Sequence, residues 1–120
     1  MEMIILVFEP DLIFSSKFDG ISRLIGMDFS TFTDPGEFLN VARAKKPDGM
    51  IINLDAAKSE MLENAVKVGP PVLGYYSHVN SDTALAAKRL GVGQVVTREA
   101  FLTNSGSLVD RLLKSKRQAL

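Results

Sequence analysis

The residues of this chain that could do chemistry stand at the ends of short apolar runs. Glu9 and Asp11 follow the first run, and Thr33 and Asp34 follow the second. Asn53 and Asp55 close the third, Tyr76, Ser77 and His78 the fourth, and Thr97, Arg98 and Glu99 the fifth. Asn53 offers an amide, which has no anionic oxygen with which to attack a phosphoryl group. Arg98 carries a planar guanidinium fork. Such a fork pairs with a carboxylate such as Glu9, Asp11 or Asp55, or recognises a phosphate or carboxylate on a ligand. His78 is the only histidine, so no histidine cluster can hold a metal, and it is expected in an exposed loop. Ser77 beside His78 does not make a catalytic triad, since adjacency in sequence does not give the required geometry.

The elements that must position these groups follow from periodicity. Met3–Phe8 is a continuous apolar run stopped by Glu9-Pro10, as expected of a strand buried on both faces. Phe14, Phe18, Ile21 and Ile25 recur at the helical period, and Gly26 ends that helix. Residues 29–33 form a second strand. Asp34-Pro35 opens a helix with inward Phe38, Val41 and Ala42, Asp34 serving as N-cap and Pro35 as first residue. Lys45 to Gly49 is a turn before a strand over 50–54. Residues 59–68 form an amphipathic helix with Met61, Leu62, Ala65 and Val66 inward, and 72–76 a fourth strand. Ser81-Asp82-Thr83 caps a helix whose inner stripe holds Ala84, Leu85, Ala87 and Leu90. A short strand over 94–97 and a helix over 108–116 complete the chain. Parallel strands need helical crossovers, so five strands alternating with five helices predict an α/β protein, a parallel sheet covered on both faces. Sites in such sheets lie at the carboxyl ends of the strands, where the residues above fall.

Composition narrows the function. The 120 residues suit one domain, 1–120, with 46% hydrophobic and 23% charged residues. Lys plus Arg and Asp plus Glu balance at 14 each, which leaves no basic footprint for nucleic acid or an anionic membrane. The absence of cysteine removes disulfides, thiolate metal sites and thiol nucleophiles. No run approaches membrane-spanning length, and a cytoplasmic protein is expected. Gly91-Val92-Gly93 precedes a strand instead of following one, so it is not a dinucleotide fingerprint.

Ile5-Leu6-Val7-Phe8-Glu9, Pro47 through Leu54, Pro71-Val72-Leu73 and Ala86 through Val92, in this order, resemble the receiver domain of two-component response regulators. The resemblance implies the flavodoxin-like, CheY-like doubly wound sheet, order 2-1-3-4-5, flanked by five helices. It also implies a phosphorylation site: an acceptor aspartate, two acids for Mg²⁺, a hydroxyl after strand four and a lysine after strand five. In this chain the acceptor position falls on Asn53 and the acid pair on Glu9 and Pro10. The hydroxyl position falls on Tyr76, with Ser77 next, and the lysine position on Arg98, followed by Glu99 where the family has proline. The aromatic that the family carries on strand five falls at Val95, while Phe101 and Leu102 are expected to add apolar surface nearby.

The expectation is therefore an atypical receiver, or pseudo-receiver. It acts as a single-domain signalling protein that binds a protein partner without aspartyl phosphorylation and without enzymatic activity. Homodimerisation through the face of helix four, strand five and helix five is open to it. Glu9, Asp11 and Asp55 form a degenerate acidic pocket. No metal or other cofactor is expected there, Glu9 and Asp55 being the candidate ligands should one bind. Asp55 is expected to start a loop or cap a helix. One alternative is a divergent active receiver that phosphorylates Asp55, with Glu9 and Asp11 holding Mg²⁺. Another is a small flavodoxin-like enzyme or nucleotide-binding protein with Arg98 facing an anion, although Glu9-Pro10-Asp11 replaces any glycine-rich phosphate loop.

Overall fold

A computed structural model describes residues 3–77 and 81–118. Five parallel strands form one sheet of order β2-β1-β3-β4-β5. They are β1 (Ile4–Phe8), β2 (Asp28–Phe32), β3 (Gly49–Asn53), β4 (Val72–Tyr76) and β5 (Gln94–Thr97). Seven helical segments are described: α1 (Leu12–Ser15), α2 (Lys17–Ile25), α3 (Pro35–Lys45), α4 (Ser59–Val68), α5 (Ser81–Arg89), α6 (Arg98–Thr103) and α7 (Ser105–Gln118). The expected architecture and order are those observed; the helix count is higher by two, for local reasons. Asp11 Oδ1 accepts from the backbone N–H of Ile13 and Phe14, which starts a separate turn at the head of the predicted first helix and splits it in two. Thr97 Oγ1 accepts from the Ala100 N–H and caps α6, an element that periodicity did not reveal in six residues.

β3 is buried at every position and β1 nearly so, as continuous apolar runs require when helices cover both faces. One core layer joins Leu6, Phe8, Met50 and Ile52 to Phe38 and Ala42 of α3 and to Met61, Leu62 and Ala65 of α4. The other joins Ile5, Val7, Ile51, Leu73 and Tyr75 to Phe14, Phe18 and Ile21, to Phe101 of α6, and to Leu108, Val109, Leu112 and Leu113 of α7. The predicted Asp34 cap forms, its Oδ2 accepting from the Glu37 N–H at 2.8 Å ahead of Pro35. Gly26 ends α2 at φ 70°, a left-handed conformation that glycine adopts without steric cost. Gly74 is required for packing: a Cβ there would lie 2.7 Å from three side-chain atoms of Leu54.

Two packing expectations are corrected. Leu85, placed in the inner stripe of its helix, is 50% exposed, while Ala87 of the same stripe is buried as expected. Phe101, expected to add surface, is fully buried against Tyr75 and Phe18, while Leu102 remains partly exposed. His78 lies outside the described residues.

Candidate functional site

Strand register sets the site. The register pairs Phe8 with Ile52 and Asn53 with Tyr75, so Glu9, Asn53 and Tyr75 stand side by side at the carboxyl ends of β1, β3 and β4. Side chains alternate along a strand, so all three project to the face that α2 and α7 cover. Glu9 is held at the sheet by its N–H, which donates to Phe32 O at 2.9 Å. Its carboxylate is completely buried.

A buried carboxylate must be hydrogen-bonded or paired, because removal from water costs several kcal/mol. Glu9 meets that requirement on both oxygens. Asn53 Nδ2 donates to Oε1 and Oε2, each at 3.0 Å. Tyr75 Oη donates to Oε1 at 2.5 Å, and the Asp11 backbone N–H donates to Oε2 at 3.0 Å. Arg98 Nη2 completes the set, 3.6 Å from Oε1. The orientation of the Asn53 amide is fixed from its other side, where Oδ1 accepts from the Asp55 N–H at 2.9 Å.

The two remaining side chains are tuned by their surroundings. Burial pushes the Tyr75 phenol well above its ordinary pKa, and the Glu9 hydrogen bond and charge push it further, which outweighs the opposing pull of Arg98. Tyr75 therefore stays a neutral donor. Its ring stacks on Phe101, with centroids 5.6 Å apart at 18°, and also meets Phe14 and Phe18. The Arg98 guanidinium lies 4.0 Å from the centre of the Phe14 ring, a cation–π contact that holds it over the site.

A second, exposed cluster sits beside the first. Asp55 Oδ2 accepts from both the backbone N–H and the hydroxyl of Ser77, each at 2.7 Å, and so ties the β3–α4 loop to the end of β4. Asp55 is thus neither a helix cap nor a neighbour of Glu9. The cap position of α4 is Lys58, with no side-chain bond. Asp11 is a cap, serving α1, and only its backbone touches Glu9. Tyr76 lies on the opposite face, packed against the core layer of α3 and α4. The structure thus brings together Glu9, Asn53 and Arg98, and separately Asp55 and Ser77. Tyr75 is the residue of this cluster that the sequence did not single out. Its signal was present in kind: a tyrosine in a buried strand needs a partner for its hydroxyl. The partner became visible only with the register. Among the described residues no three His, Cys, Asp or Glu side chains are grouped to hold a metal ion. No helix there is long and apolar enough to cross a membrane.

No protein-family model and no curated protein matches the chain. Solved structures do match. A CheY-like response regulator receiver domain from Methanospirillum hungatei superposes with a TM-score of 0.88 over 100% of both chains, at 13% identity. A receiver domain from Clostridium thermocellum gives 0.86 over 98% of this chain and 99% of its own, at 14% identity. A receiver protein from Pseudoalteromonas atlantica gives 0.79 over 93% and 98%, at 18% identity. At such identities the likeness is one of fold, and the fold is that of response regulator receiver domains along essentially the whole chain.

Proposed function

We propose that the chain is a receiver-like signalling module that acts by binding a protein partner and does not use aspartyl phosphorylation. The observation that carries this reading is the closed carboxylate of Glu9. Transfer of a phosphoryl group to a carboxylate needs an anionic nucleophile and a cation to offset developing charge. Asn53 supplies no nucleophile. Glu9, the acid that would hold a cation, has both oxygens taken by Asn53, Tyr75 and the Asp11 N–H, with Arg98 beside them. A divalent ion would have to displace a buried amide donor that is itself anchored to Asp55. The positive charge of Arg98 already stands beside the same carboxylate.

Amide spectra in Mg²⁺ and beryllofluoride test the proposal. Residues 53–55 and 98 should keep their shifts. Asp55 is exposed and has a hydroxyl beside it, which favours it as the residue to check for a divergent acceptor. Saturable shifts that vanish in Asp55→Asn would establish that second reading and remove the first. Leu85 and Leu102 are exposed on α5 and α6, as Leu12, Ile13 and Leu24 are on α1 and α2; of the two patches we assign the partner surface to that of α5, β5, α6 and α7, the face the receiver resemblance implies. Loss of partner or self-association in Leu85→Glu and Leu102→Glu, with unchanged stability, is the expected result; binding that survives both places the interface elsewhere.

A further inference from the structure

Among the described residues, a polar anomaly lies at the other end of the sheet. Gln94 opens β5 and shares its face with Val96, which packs into the layer of α2 and α7. Both Gln94 Nε2 and Oε1 are buried without a hydrogen-bond partner. Native proteins satisfy such groups, and an enclosed amide left unmatched in donor and acceptor calls for a cause. Gln94 also lines a cavity of about 560 Å³ at the amino ends of β3, β4 and β5. Pro47, Pro70, Pro71, Val66, Val72 and Leu112 make its walls largely apolar. Volume, apolar walls and a few polar residues are the usual attributes of a small-molecule site; beside Gln94 these are Lys46 and Ser115, both exposed to solvent. The opening is far from Glu9 and Asn53, which lie at the carboxyl ends of the same strands, so the cavity is independent of the function proposed above.

We propose that this cavity is a binding site for a small planar heterocycle that carries an N–H and a C=O side by side, as in a lactam or a nucleobase edge. The Gln94 amide is the complement of such an edge, donor to acceptor and acceptor to donor. No bond to the protein holds the amide in place, and its last torsion is broad, so turning it towards an occupant forfeits no hydrogen bond. The prolines and valines supply flat apolar contact for the ring. A purely hydrocarbon occupant would leave the amide unsatisfied and is selected against by the same logic that lets polar sites reject analogues lacking a polar group.

The test is titration of the ¹⁵N-labelled full chain with 2-pyridone, and with toluene as a ring of similar size without the edge. With 2-pyridone, saturable shifts are expected at the Gln94 side-chain amide and at the Gly69, Gly91 and Gly93 amides, leaving Asn53 and Asp55 unmoved. Toluene should bind about tenfold more weakly, the worth of about one net hydrogen bond. Gln94→Met should abolish that preference while still admitting toluene. Should that variant fail to fold, the ratio of the two ligands on the wild type decides alone. Absence of shifts at millimolar 2-pyridone overturns the proposal, including the case in which the Gln94 amide shows only a bound water. Equal affinity for toluene, or undiminished 2-pyridone binding in Gln94→Met, overturns it as well.

Discussion

Returning the acceptor-type carboxylate by Asn53→Asp tests the closed site most directly. The Asn53 amide nitrogen stands 3.0 Å from each Glu9 oxygen, so an aspartate there sets two carboxylates in contact inside the protein. At an effective dielectric of about 20, two unit charges roughly 3 Å apart repel by about 5 kcal/mol. Protonating one of them at pH 7 instead costs about 1.4 kcal/mol per unit above an ordinary carboxylate pKa near 4, or roughly 4 kcal/mol. The second route costs less. The folded variant should therefore bind a proton that the unfolded chain has released, and the new carboxyl then donates to Glu9 as the amide did. The pair titrates in the folded state above its unfolded value. Its contribution to stability is thus complete below about pH 4 and is lost as pH rises, by about 1.4 kcal/mol per unit towards pH 7. Urea unfolding in EDTA at several pH values between 5 and 7 measures that slope directly. The slope is read as the difference between the variant and wild type. A variant within about 1 kcal/mol of wild type at pH 7, with a parallel pH profile, would refute the placement of Glu9 as a buried, charged acceptor.

Other expectations follow from the same contacts. Tyr75→Phe keeps the ring but removes a donor from a buried carboxylate, and should cost roughly 1.5–3 kcal/mol in urea unfolding. Gly74→Ala forces a Cβ against Leu54 and should destabilise by about 1–3 kcal/mol, with partial recovery when combined with Leu54→Val. Asp55→Ala releases the N–H and hydroxyl of Ser77, so hydrogen exchange at the Ser77 amide should accelerate while global stability changes by no more than about 1 kcal/mol. Undiminished protection of Ser77 in that variant would show that the clasp does not hold the loop.

Most strands could be located from the sequence because their runs are continuous and bounded: Val72–Tyr76 and Gln94–Thr97 lie where expected, and Gly49–Asn53 starts one residue earlier. Asp34-Pro35 and Gly26 were readable because caps depend on local chemistry. The site was readable only in part. Glu9 and Arg98 stand beside Asn53 at the strand ends, but alternation alone could not tell which tyrosine, 75 or 76, turned towards them. That choice is fixed by strand register and by the covering helices, both of which are long-range. Asp55 starts a loop, one of the two roles expected of it, but its partner was hidden for a similar reason. A carboxylate at a loop start resembles a helix cap until the neighbouring loop brings Ser77 to it. The splitting of the first helix and the six-residue α6 were hidden by their brevity, since few residues carry little period.

The bonds around Glu9 also bear on how long the fold lasts. Glu9 meets Asn53 across 44 residues of chain and Tyr75 across 66, so three strands from separate parts of the sequence must be aligned before any of these bonds can close. Such closures come at an entropic cost that local helices do not bear. They should therefore be largely absent from the folding transition state and present in the native one. Interactions of that kind act as a brake on unfolding. Tyr75→Phe should accordingly shorten the lifetime of the folded chain more than it slows refolding, which makes the polar cluster a kinetic lock on the central strands.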